Sequence, residues 1–318
     1  MSLMPLRTRV LVTLLDRVGR RPIEDLDLAG IRVARATISP RGYLADRITG
    51  YERTDVQIST ATVPARDGHP IPVRRYQPGG GADPDAPVVI YLHGGGWVQG
   101  NVVNYDPLCR HLCDRLGVGV LSVDYRLAPE WPAPTAAYDC IDAVRALRRD
   151  AMAVCGDSAG GNLAAVVAQA FRDDGDTAIR AQALIYPATD ATMQSPSIAE
   201  HAKAAILTKA SMEAFVDHYV PDEGARRDPL VSPLFGRLDG LPPALIQTAD
   251  LDPLRDDGSR YAAALKDDGV EVKLTNYLGA PHGFASFPGA TRVGAAARAE
   301  LVSFLAERLV SRPGGKVV

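Results

Sequence analysis

Short apolar runs recur along this chain, each followed by a stretch in which apolar residues return every three or four positions. Residues 88–92, 118–123, 152–155, 183–186, 244–248 and 270–274 are the runs, and the earlier ones are almost wholly Val, Ile, Leu, Ala and Met. Runs of that length and composition predict strands, most of them buried on both faces. Between and after them, Leu108, Leu112 and Leu116 make one helical face, Ile141, Val144 and Leu147 another, and Leu301, Phe304, Leu305 and Leu309 a third. Alternation of strand and helix predicts a mostly parallel sheet covered on both sides, an α/β architecture.

The ends of the pattern differ. Residues 3–20 read as an amphipathic helix with Leu11, Leu14, Leu15 and Val18 on its apolar side, and a second short helical stretch covers 26–37 after Pro22. Residues 56–62 and 71–76 alternate in strand fashion about Asp67-Gly68, a hairpin suited to an antiparallel edge, and 78–87 is a glycine- and proline-rich surface connection. Between two of the later strands, residues 189–227 are much longer than an ordinary loop and include a helix-like stretch at 209–219. Such length predicts an insertion with a function. The tail 312–318, with Pro313-Gly314-Gly315, is expected to fray.

Composition narrows the possibilities. A chain of 318 residues, 46% hydrophobic, can bury a substantial core and suits one enlarged α/β domain better than two independent ones. Its net charge of −3 offers no electrostatic reason for a nucleic-acid or anionic-membrane partner. Arg7, Arg9, Arg17, Arg20 and Arg21 read as the solvated face of the first helix. Cys109, Cys113, Cys140 and Cys155 sit in apolar segments and are expected to be reduced core residues. On a helix Cys109 and Cys113 share a face while His111 points largely away, so no metal site is expected there. The apolar run 10–15 is too short to span a bilayer and no small-residue cleavage signal follows it. A cytoplasmic monomer or homodimer without stable membrane association is the expectation.

The chemistry-bearing motifs fall at the ends of the predicted strands. Gly156-Asp157-Ser158-Ala159-Gly160 follows one apolar run and opens a helix-like stretch. Small residues around a serine on such a turn leave room for a strained backbone that pushes Oγ outward. Another run leads directly into His93-Gly94-Gly95-Gly96-Trp97. A loop without side chains can aim backbone N–H groups at an oxygen that gains negative charge, with Gly95 and Gly96 as candidate donors and Ala159, at a helix N-terminus, as a further one. The phosphate-cradle alternative fails on spacing, because the third glycine of G-x-G-x-x-G would fall at Gln99. Asp252 and His282 each lie beyond a strand-like run, and strand ends in a parallel sheet converge on one edge.

The order Ser158, Asp252, His282 matches that of α/β-hydrolases. Together with Tyr125-Arg126-Leu127-Ala128-Pro129-Glu130, Gly240-Leu241-Pro242-Pro243-Ala244, the segment from Asp252 to Gly258, and His282-Gly283-Phe284, these residues resemble the hormone-sensitive-lipase-like family of carboxylesterases. The resemblance covers nearly the whole chain. It implies an α/β-hydrolase domain over 51–318, with cap helices in 1–50 and a second cap segment at 189–227. It further implies hydrolysis of short- to medium-chain acyl esters without a cofactor, Ser158 as nucleophile, His282 as base, Asp252 as its acid, and Gly95, Gly96 and Ala159 as the oxyanion hole. Trp97 is core filler or a substrate-binding wall; Asp250 and Asp256 are the rivals of Asp252, and Asp250 stands where relatives commonly have Glu. An amidase, a lactonase or a non-hydrolytic ligand binder of the same fold are the alternatives that the residues leave open.

Overall fold

The computed structural model describes residues 4–17, 21–81, 83 and 85–310, with backbone alone for 14–17. The expectations for the tail 312–318 and for the side chains of Leu14, Leu15, Arg17, Val18 and Arg20 lie outside the described residues. The strands are β1 (Gln57–Pro64), β2 (Pro70–Gln77), β3 (Val88–Leu92), β4 (Gly119–Val123), β5 (Met152–Asp157), β6 (Ile179–Ile185), β7 (Ala244–Leu251) and β8 (Val272–Pro281). They form one sheet in the order β1-β2-β4-β3-β5-β6-β7-β8, in which β2 runs antiparallel to both of its neighbours and every other pairing is parallel. The helices are α1 (Leu6–Arg17), α2 (Leu28–Ala36), α3 (Tyr43–Thr49), α4 (Asp106–Leu116), α5 (Thr135–Ala146), α6 (Ala159–Asp173), α7 (Pro196–Glu200), α8 (Lys209–Tyr219), α9 (Arg255–Asp267) and α10 (Gly294–Leu309).

Alternate residues of the central strands feed two cores. Ile90, Leu92, Val154 and Ile246 pack with Ile141 of α5, Leu163 of α6 and Leu265 of α9 on one face. Val89, Tyr91, Ala153 and Leu245 pack with Leu112 of α4 and Leu301 and Leu305 of α10 on the other. The chain therefore leaves β3 toward one face and β5 toward the other, although the two strands are neighbours with Leu92 opposite Gly156. A crevice opens at the carboxyl ends of strands where the winding reverses in this way. Both motif loops border it.

Three elements depart from the sequence pattern. The strand expected at 270–274 starts at Val272 and runs to Pro281, directly into His282. Its pairing with β7 slips between Ala249 and Leu251, where Gly279 N–H donates to Asp250 at 3.1 Å, so the partner strand extends it past the point where its own alternation fades. The strand expected at 183–186 begins earlier, at Ile179, and Tyr186 leaves it with a φ of 37°. Helix α9 has no counterpart among the predicted helices, although its buried Tyr261, Ala262 and Leu265 share one face between Asp and Arg residues. The four cysteines are free and buried. No helix of the described residues is long and apolar enough to cross a membrane.

Candidate active site

Ser158 is the single residue between β5 and α6, with φ 54° and ψ −120°. A non-glycine backbone in that region costs roughly 1–3 kcal/mol and persists only where its surroundings enforce it. Here they do: Ser158 N–H donates to the Ile185 carbonyl at 2.8 Å, and Asn162 N–H returns to the Ser158 carbonyl at 3.1 Å. A Cβ at Gly156 would strike the Gly160 carbonyl, and one at Gly160 would strike that of Leu92. The turn can be this tight because both positions lack a side chain.

Asp252 is the first residue after β7, and His282 the first after β8. His282 Nδ1 lies 2.7 Å from Asp252 Oδ2, and its Nε2 lies 3.1 Å from Ser158 Oγ. The second Asp252 oxygen accepts from Leu254 N–H at 2.9 Å, which holds a fully buried carboxylate in one orientation. A proton on Nδ1 facing the carboxylate leaves Nε2 free to accept the serine proton. The two rival aspartates are engaged elsewhere, Asp250 with Gly279 N–H and Asp256 with Ser197 N–H.

The glycine loop passes beside Ser158. Gly95 has φ 126° and Gly96 φ 61°, both left-handed, and a Cβ on Gly96 would run into the ring of Phe215. Among the described residues, the N–H groups of Gly95, Gly96 and Ala159 have no acceptor within the protein. Gly94 N–H, by contrast, is taken by Asp157 Oδ1 at 2.9 Å and by the Tyr105 hydroxyl. Asp157 also accepts from Tyr91 at 2.8 Å and Tyr105 at 3.0 Å. Burial raises its pKa, and those hydrogen bonds act in the opposite direction. His93 stacks on Tyr125 at 4.4 Å, its carbonyl accepts from the Tyr125 hydroxyl, and burial lowers its pKa. Trp97 stacks on Tyr219 with centroids 4.6 Å apart.

A strained serine turn, an imidazole bridged to a carboxylate and a loop of free N–H groups at the carboxyl edge of such a sheet invite comparison with known proteins. A family described as the alpha/beta hydrolase fold matches residues 89–286. The chain belongs to this family. It is 41% identical over 271 residues, 80% of this chain and 71% of the relative, to the carboxylic ester hydrolase LipN of Mycobacterium tuberculosis. It is 39% identical over 301 residues to the carboxylesterase NlhH of the same species, covering 87% of this chain and 88% of the relative. Its structure superposes on a hyperthermophilic esterase from Pyrobaculum calidifontis with a TM-score of 0.84 at 35% identity, over 98% of this chain and 100% of that one.

In this α/β-hydrolase, a cavity of about 300 Å³ reaches Ser158 and His282. Leu207, Met212 and Leu254 line it as one apolar cluster with Met193 and Phe215, while Ser39, Thr49, Asn104, Ser286 and Arg298 are polar lining. Trp97 contributes to the wall. Among the described residues no group of three or more His, Cys, Asp or Glu side chains is placed to hold a metal ion.

Sequence reasoning assigned His93 to bracing the glycine loop and Asp157 to a structural role, but passed over Tyr91, Tyr105 and Arg35, which also hold it. Tyr91 carried a signal, as a hydroxyl within an otherwise aliphatic strand run. Arg35 carried none. Its Nε donates to the Val98 carbonyl at 2.7 Å, its Nη2 to the Ala128 carbonyl, and its Nη1 pairs with Glu130 at 2.8 Å. Asn101 and Asn104 reach back to the Arg35 and Thr37 carbonyls at 2.8 and 3.0 Å.

Proposed function

We propose that this protein is a serine carboxylesterase that cleaves short- to medium-chain acyl esters through an acyl-enzyme. The observation that carries the reading is the unbroken contact from Asp252 through His282 to Ser158 beside three unpartnered N–H groups. Ser158 Oγ attacks the ester carbonyl as its proton passes to His282 Nε2, and Asp252 stabilises the imidazolium. The N–H groups of Gly95, Gly96 and Ala159 receive the oxyanion. Collapse of the tetrahedral intermediate breaks the bond to the alcohol oxygen, which leaves with the proton from His282. Water then attacks the acyl-serine by the same route and releases the acid.

Relatives named as ester hydrolases support the ester class. The cavity volume, near 300 Å³, lies at the small end of ligand pockets and supports short acyl groups, each buried CH₂ adding about 0.8 kcal/mol until the space is full. Residues 1–50 and 189–227 are then the cap, since Ser39 and Thr49 from the first and Met193, Leu207, Met212 and Phe215 from the second border the cavity. Ser158→Ala is expected to lower kcat on p-nitrophenyl butyrate by on the order of 10⁴ or more while thermal unfolding is unchanged. Retained activity in the folded variant would require another nucleophile. Matched ester, amide and lactone substrates separate the esterase from the amidase and lactonase that the same three residues can serve.

A further inference from the structure

Arg298 of α10 is an arginine whose charge is buried without a counter-ion. It is only 4% exposed, yet it lines the cavity that holds Ser158 and His282. Its Nε donates to the Ala285 carbonyl and one Nη2 proton to the Thr49 carbonyl, both at 3.0 Å. Among the described residues its Nη1 has no acceptor and no carboxylate forms an ion pair with it. Arg126, part-buried, is by contrast paired with Asp139 and Asp67. Arg110 is buried and also lacks a carboxylate, donating to the Val56 and Thr54 carbonyls and the Thr54 hydroxyl with its Nε unpartnered, but it does not line the cavity. Burial lowers the Arg298 pKa to about 10, which still leaves it charged at neutral pH.

Nearby carboxylates are already committed. Glu52, which acts on Arg298 from a distance, pairs with Arg115 at 3.0 Å, and Asp157 is held by two tyrosine hydroxyls and Gly94 N–H. Asp190, also in the cavity wall, pairs with Arg260 at 2.7 Å. A cation removed from water and given only two carbonyls retains most of its unmet attraction for an anion, and a guanidinium presents paired N–H groups in the geometry a carboxylate accepts. Thr49, whose carbonyl Arg298 contacts, and Ser286, next to Ala285, give that part of the lining further polar groups, and Ser39 and Asn104 are polar elsewhere in the wall, in contrast to the Leu207, Met212 and Leu254 cluster.

We propose that Arg298 is an anion subsite and that the preferred substrates are esters carrying a carboxylate remote from the scissile bond. The proposal rests on the ester-hydrolase reading and names its substrate class. In binding, the ester carbonyl sits at Ser158 while the free carboxylate displaces solvent from the Arg298 guanidinium.

The test measures kcat/KM by acid release on matched pairs: monoethyl glutarate and monoethyl adipate against ethyl pentanoate and ethyl hexanoate, and the acetate ester of 4-hydroxybutyrate against butyl acetate. The charged member is expected to exceed its neutral partner by about tenfold or more in at least one set, the scale of one charge-assisted contact. Glutarate dianion is expected to inhibit hydrolysis of the neutral ester competitively. Arg298→Gln should bring the charged-to-neutral ratio to about one and abolish glutarate inhibition, while Arg298→Lys, which keeps the charge, should retain part of both. A role confined to holding Thr49 and Ala285 would lower both members of a pair equally, and an unchanged ratio in a folded Arg298→Gln protein overturns the proposal. So does hydrolysis of the neutral esters by the wild type with no preference for the charged ones and no glutarate inhibition, a result that needs no variant to fold. Failure to cleave any ester overturns the underlying esterase reading instead.

Discussion

The N-terminal residues 4–50 and the insertion 189–227 both border the cavity, but they are joined to the catalytic edge by different forces. The first enters the main core only through Ile23 and Ile31, with Leu26 against them, and is otherwise stitched on by polar contacts: Arg35 to Val98, Ala128 and Glu130, Arg32 to Glu130, and Asn101 and Asn104 to the backbone of 35–37. Much of its apolar surface stays in water, with Leu6 67%, Val33 68% and Leu44 72% exposed. The insertion is held mainly by burial, its Ile198, Leu207 and Met212 closing on Leu254 while Val216 and Tyr219 enter the main core. One buried carboxylate completes that attachment, Asp257 accepting from Thr189 and Asp190 N–H at 3.0 and 3.1 Å and from Ser195. Burial of an aliphatic side chain contributes about 1.5–3 kcal/mol, and a typical hydrogen bond about 0.5–1.5 kcal/mol net. The insertion therefore carries more stability, and the N-terminal seam carries position.

The largest effect expected from this contrast is at the contact between insertion and glycine loop. Gly96→Ala puts a Cβ into the Phe215 ring at a φ of 61°, and should lower kcat/KM by about 10²–10³ through displaced oxyanion donors. Combining it with Phe215→Ala removes the collision but not the backbone strain, so activity should return in part. Full activity in Gly96→Ala alone would show that the insertion does not hold this loop.

Next in size is the polar seam. Arg35→Met should cost roughly 1–3 kcal/mol and lower kcat more than it raises KM, because it frees Val98 at the end of the glycine loop. Arg32→Met, whose side chain is 62% exposed, should cost under about 0.5 kcal/mol. Equal losses in thermal unfolding and kinetics for the two would remove Arg35 from any positioning role.

Asp257 sharpens the comparison through pH. Burial first, and the charge of Asp190 as well, raise its pKa from 3.8 to about 7, with the Ser195, Thr189 and Asp190 hydrogen bonds opposing the shift. Between those values the unfolded chain releases a proton that the folded protein keeps. Stability from this group is therefore present below about 4, falls as pH rises toward 7 and is flat above. Asp257→Asn should flatten the fall in melting temperature between pH 5 and 7.5, and an identical slope in wild type and variant would show that the carboxyl is ionised throughout.

The smallest effect is expected from α1, none of whose described side chains lines the cavity. A chain starting at Pro22 should keep the acyl-length optimum of the full protein, whereas Met212→Ala should move it toward longer acyl groups. A shifted optimum on loss of α1 alone would place that helix in the substrate path.

Asp252 and His282 were picked out in the sequence as residues beyond strand-like runs, in segments that resemble the family's motifs, and the short loops around Ser158 and Gly95 because their glycines answer to crowding within a few residues. Arg35 and Arg298 had no such local mark. Arg298 contacts Thr49 across a separation of 249 residues, and Arg35 contacts Ala128 across 93, so their roles depend on which surfaces meet. The course of β8 was hidden for a related reason. An edge strand exposed along much of its length shows little hydrophobic pattern, and its extent is set by the hydrogen bonds of β7.

What the chain determined by itself is its alternation of buried strands with amphipathic helices and the chemistry at each strand end, because periodicity and glycine crowding act over a few residues. Tertiary structure alone decided which strand edges became neighbours, how the two covering segments were fastened, and that a buried guanidinium would face the same cavity as the serine. Those outcomes follow from long-range packing and desolvation, which depend on the whole set of contacts and leave no trace at any one position in the sequence.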